Sequence, residues 1–114
     1  MAAVASMARA DTIGPAQEQE FADAKGALDA ARKAQAEKYA PAEFNRAQEN
    51  LQAADNARQA QNAAKLSESS RLARARAELA TAVAELGVET DKLAATNAAL
   101  QKAKDEIERL AKPK

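Results

Sequence analysis

This sequence predicts an all-α fold: an antiparallel helical hairpin followed by a long third helix, together a three-helix bundle that extends into a coiled coil. Three observations predict it. Alanine supplies 34 of the 114 residues, and no residue favours a helix more. Pro15 and Pro41 each stand at the head of an apolar-periodic segment, where a missing N–H breaks no helical hydrogen bond. Leu72, Leu79, Leu86, Leu93, Leu100 and Ile107 follow one another at intervals of seven, the mark of a helix with a narrow apolar seam that packs on a partner.

The first segment, residues 1–14, reads as an arm outside the bundle. Ala8-Arg9-Ala10 before Asp11 fits the small-x-small cleavage rule of a secretory signal peptide. Met1 to Ala10 is too short for a complete signal, so the expectation is the tail of one whose start lies upstream. The alternative is an alanine-rich arm on a cytoplasmic protein.

Pro15 to about Glu37 is the first predicted helix, with Phe21, Ala24, Leu28, Ala31 and Ala34 on one face. Lys38-Tyr39-Ala40-Pro41 breaks it, because Pro41 disfavours helical geometry at Ala40. Tyr39 reads as a turn aromatic that covers the helix ends with its hydroxyl in water. The second helix runs from Pro41 to about Gln61, with Phe44, Ala47, Leu51, Ala54 and Ala57 as its face. Asn62 is the next boundary, with the serine cluster at Ser67 a competing one. The third helix then runs to about Leu110, and Pro113 marks its end. Gly87 is its soft point, at a cost of about 1 kcal/mol. The leucine register passes through in phase, which favours a continuous helix over a stop and a restart near Thr90.

A repeat underlies the pattern. Phe21-x-x-Ala24-x-x-x-Leu28-x-Ala30-Ala31-x-x-Ala34 recurs as Phe44-x-x-Ala47-x-x-x-Leu51-x-Ala53-Ala54-x-x-Ala57, and more loosely as Leu72-x-x-Ala75-x-x-x-Leu79-x-x-Ala82. The spacing sets bulky side chains opposite alanine on a neighbouring helix. At 1.5 Å per residue the first two helices span roughly 30–35 Å each and the third roughly 70 Å. The division expected is thus a bundle over 15–86 and a coiled-coil extension over 87–114, whose seam needs cover because a lone amphipathic helix in water is marginal.

The interaction seam is Leu72, Leu79, Val83, Leu86, Leu93, Asn97, Leu100, Ile107 and Leu110. Taken as d, the leucines put Arg76, Val83, Thr90, Asn97 and Lys104 at a. That favours a parallel two-stranded coil whose register Asn97 fixes. Taken as a, they put Ala75, Ala82, Glu89, Thr96, Ala103 and Leu110 at d, which suits packing inside the subunit. The expectation is the alanine register within the bundle and the Val83/Thr90/Asn97 register between subunits.

Composition excludes several functions. The chain has neither cysteine nor histidine, which removes disulfides, thiolates, imidazole bases and zinc sites built on them. Serine occurs only at 6, 67, 69 and 70, with no base to activate it. Carboxylates such as Glu85, Glu89 and Asp91 lack the pocket that tunes an acid or base. The expectation is no enzyme and no cofactor. Bases and acids number 17 each, and Arg71, Arg74 and Arg76 are flanked by Glu68 and Glu78, too balanced for a phosphate track. Arg74–Glu78 reads as an i,i+4 pair. No stretch reaches the apolar length of a transmembrane helix.

Tyr39-Ala40-Pro41, followed by Phe44, Ala47, Leu51 and the alanine and leucine run to Leu79, resembles a bacterial envelope family of unknown function. Its members are alanine-rich helical domains with a Tyr-Ala-Pro turn. Many are secreted or lipoproteins, and some precede an outer-membrane-protein-A-like peptidoglycan-binding domain. The resemblance covers about Phe21 to Leu86 and implies a periplasmic, structural role. The chain has no lipobox cysteine and no peptidoglycan-binding domain, so neither anchoring nor wall binding carries over.

The function expected is a periplasmic scaffold that associates with itself or with a partner helix. A chaperone-like holder of amphipathic clients is one alternative. A spacer tethered to peptidoglycan through Lys114 is another, resting on the terminal lysine alone.

Overall fold

The computed structural model describes residues 12–113. Among them there is no strand. The elements are α1 (Pro15–Lys33), α2 (Ala36–Tyr39), α3 (Pro41–Gln59) and α4 (Ala63–Ala111). The molecule is elongated, 101 × 18 × 15 Å. The signal-like segment Met1 to Ala10 lies outside the described residues.

Local chemistry sets the ends. Gly14 precedes Pro15, and its N–H donates to Gln17 Oε1 at 2.9 Å, answering one of the free donors of a helix start. Pro41 opens α3 in the same position as Pro15 opens α1. Asn62 caps α4, accepting from the Lys65 N–H at 3.1 Å, so the boundary falls at Asn62 and not at Ser67.

The first helix stops four residues short of the expected Glu37. Gln35 takes a left-handed conformation, φ 68°, so the chain turns there and restarts as the single turn α2. Gln61 does the same after α3, φ 59°. Its N–H reaches the Arg58 carbonyl, and the Asn62 N–H reaches that of Ala57 at 2.9 Å. That is a Schellman closure with glutamine where glycine is usual. Both helices end in the same Arg-x-Ala-Gln: Arg32 to Gln35 and Arg58 to Gln61.

The directions follow from charged contacts. Glu20 of α1 accepts from Ser67 and from Arg71 of α4, and Asp23 pairs with Arg74 at 3.6 Å, so α1 and α4 run the same way. Arg58, near the end of α3, meets Glu18, near the start of α1, at 3.0 Å. Hence α3 runs opposite to both. Apart from Glu20, which is partly buried, these charged groups are exposed, and such pairs fix register more than they stabilise. Arg32 lies over the Phe44 ring and Arg58 over the Phe21 ring, a reciprocal pairing of each helix end with the other's start.

The core is alanine-lined, and both α1 and α3 pack mainly on α4 and much less on each other. Phe44 sits with Leu28, Ala31, Ala47, Ala77 and Ala80, while Phe21 sits with Ala54, Ala57 and Leu66. The first two copies of the repeat are the inner faces of α1 and α3: Phe21, Ala24, Leu28 and Ala31 are buried, as are Phe44, Ala47 and Ala54.

The third copy does not behave like the others. Along α4 the inner face is Leu66, Ser70, Ala73, Ala77, Ala80 and Ala84, a second heptad out of step with the leucines. Leu72 and Leu79 are exposed, and so are Ala75 and Ala82. This corrects the expectation that the Leu72/Ala75/Leu79/Ala82 register packs within the bundle. The physical reason is volume. Beyond Leu66 the large buried residues of this core come from α1 and α3, and close approach to them needs small side chains on the facing helix. Leucine there would overfill the interface.

Candidate functional site

From Leu72 onward the leucines of α4 form one continuous outer stripe. It starts on the flank of the bundle at Leu72 and runs past the start of α3 along the free helix. From Glu89 to Leu110 every side chain is exposed. The stripe's large residues, Leu72, Leu79, Leu86, Leu93, Leu100, Ile107 and Leu110, are 40 to 69% exposed. Together they present on the order of 700 Å² of apolar surface, close to the roughly 800 Å² that each partner buries in a standard interface. Isolated monomers rarely leave so large an apolar patch open. Of the other two seam residues, Val83 is half-buried against the Phe44 cluster and Asn97 faces solvent.

The point where α4 leaves the bundle is built by three residues. Tyr39, at the end of α2, lays its ring across Gly87. A methyl group on Gly87 would stand 2.6 Å from Tyr39 Cδ1 and 3.1 Å from its Cβ, too close for either to remain. One turn further on, the Tyr39 hydroxyl donates to Asp91 Oδ2 at 2.6 Å. The helix is continuous through Gly87, whose role is to make room. The expectation for Tyr39 is corrected accordingly: the ring does cover helix ends, but its hydroxyl is bonded. In the sequence 48 positions separate Tyr39 from Gly87, so no local pattern joins them. The available signal was that the lone tyrosine and the only glycine of the third helix are both exceptional.

The charged groups of α4 are partly matched. Arg74 pairs with Glu78 at 2.9 Å as its i,i+4 spacing predicts, and the bond it donates to Glu78 raises the guanidinium pKa above its ordinary value. Near the tip, the hydrogen bond from Arg109 holds the Glu106 carboxyl below its ordinary value. Arg76 differs: its Nε is buried with no hydrogen-bond partner among the described residues. Beside the start of the stripe lies an open groove of about 800 Å³ whose walls include Ala63, Ala64, Ser67, Leu72 and Ala75. Among the described residues there is no carboxylate cluster that could hold a metal ion, and no helix long and apolar enough to cross a membrane.

Residues 19–95 match the family described as a domain of unknown function, DUF4398. No curated protein and no solved structure matches the chain.

Proposed function

We propose that this chain, which belongs to the DUF4398 family of domains of unknown function, is a non-enzymatic structural protein of the periplasm that acts by helix–helix association. In this reading the three helices form a bundle whose last member extends as one strand of a coiled coil. The observation that carries it is the uncovered stripe from Leu72 to Leu110. Burying a leucine contributes about 1.5–3 kcal/mol, and seven large residues on one line give association a strong driving force.

Sedimentation of the full chain tests the reading. The expected result is self-association at tens of micromolar. Leu86→Asp, Leu93→Asp and Leu100→Asp together should weaken it by at least about 100-fold. The bundle should keep its helical signal, because all three side chains lie outside its core. A chain that sediments as a monomer at hundreds of micromolar, with or without the three changes, overturns the reading.

The periplasmic part rests on Ala8-Arg9-Ala10 before Asp11 and on the resemblance to envelope proteins. The mature protein from its natural source should begin at Asp11. Sequencing that finds Met1 intact would remove the export reading and leave the association reading standing.

A further inference from the structure

We infer that the stripe is covered by a second copy of this chain lying antiparallel, so that the free end of each α4 runs along the bundle flank of the other. The inference rests on the association reading above and goes beyond it in naming the occupant, its direction and its register.

The unmatched charges point to the direction. With the leucines at d, the a positions are Arg76, Val83, Thr90, Asn97 and Lys104. In a parallel pair each faces its own copy, which sets Arg76 against Arg76 and Lys104 against Lys104. Like charges held opposite one another in a seam disfavour that pairing. In an antiparallel pair, a positions face d positions. The register that covers the whole stripe puts Thr90 opposite Leu93 of the second copy. It also puts Arg76 opposite Ile107 and Lys104 opposite Leu79. Arg76 then lies within one turn of Glu106 and Glu108 of the second copy, and Lys104 within one turn of Glu78. Among the described residues Arg76, Lys104 and Glu108 have no ion pair within the chain.

Shape points the same way. Leu110 falls outside the heptad of the other leucines. In this register it comes to Ala75 of the second copy, at the groove that Leu72 and Ala75 help to line. A bulky side chain thus meets a small one beside an open depression. About ten residues either side of the centre, Ala82 and Ala103 of the two copies face each other, small against small. The alanines at 75 and 82 are exposed within the subunit, and a helix laid across them explains why they are small.

Because the chain has no cysteine, a single introduced one can carry a spin label. With Ala103→Cys labelled in the full chain, the expected pair distance is about 35–40 Å, since position 103 of one copy lies some 23 residues of helix from that of the other at 1.5 Å per residue. A distance below about 25 Å means parallel copies and overturns this inference while leaving association intact. No measurable pair distance, with a monomer in sedimentation, overturns both. As a second readout, Ala82→Cys and Ala103→Cys chains mixed and oxidised should join mainly as the mixed disulfide. Predominant joining of like with like overturns the register.

Discussion

Replacing Phe44 with alanine should lower the stability of the bundle by about 3–5 kcal/mol. Leu79→Ala should lower it by under about 1 kcal/mol when measured at concentrations where the chain is monomeric. Ranking by hydrophobic pattern alone gives the opposite order, because Leu79 belongs to the longest leucine series in the sequence. Phe44 is 2% exposed and Leu79 52%. The Phe44 ring is the largest buried group in a cluster otherwise made of Leu28 and alanines, and alanines on three helices cannot close the space it would leave. The loss is comparable with the whole stability of a small domain, which is typically about 5–15 kcal/mol. Chemical denaturation of the two variants decides the matter, and equal losses would mean that the inner face of α4 has been wrongly identified.

Gly87→Ala should destabilise the protein by about 1–2 kcal/mol, although in a free helix the same change stabilises by about 1 kcal/mol. The added methyl group would occupy the position of the Tyr39 ring near its root, where the side chain cannot swing aside without losing its packing and its bond to Asp91. Overpacking of this kind commonly costs about 1–3 kcal/mol. Gly26, in the middle of α1, has nothing within 4 Å of the same added atom, so Gly26→Ala should stabilise by about 0.5–1 kcal/mol. A further variant isolates the cause. In a Tyr39→Ala background, Gly87→Ala should change sign and become stabilising. Thermal unfolding of the four proteins provides the check, and a stabilising Gly87→Ala in the native background would refute the close packing described.

Helix starts were legible because proline and asparagine act locally: Pro15, Pro41 and Asn62 each begin a helix for reasons contained within four residues. The inner faces of α1 and α3 were legible too, since Phe21 and Phe44 each lead an alanine series of helical period. The inner face of α4 was not. Its residues are Ser70, Ala73, Ala77, Ala80 and Ala84, and no measure of hydrophobicity ranks them above the leucines one or two positions away. What selects them is the shortness of their side chains, a property of the pair of surfaces and not of either alone. The turn at Gln35 was hidden because glutamine gives no sign of a left-handed conformation that glycine usually supplies. Leu66 stands outside the leucine heptad, so periodicity does not mark it, yet it is one of the largest fully buried side chains. The unmatched Arg76 and the Tyr39–Gly87–Asp91 junction depend on contacts distant in sequence and needed coordinates.

The two heptads of α4 share one helix but line different surfaces, and this couples the length of the outer segment to its orientation in the manner of a ruler. Removing a single residue between Asp91 and Leu93 would swing the outer segment by about 100° relative to the bundle and shorten it by only about 1.5 Å. Removing seven would preserve the alignment and shorten the reach by about 10.5 Å. A change in length beyond Gly87 by whole heptads therefore keeps the outer leucines in line with those on the bundle flank, while any other change in spacing turns them to a different side.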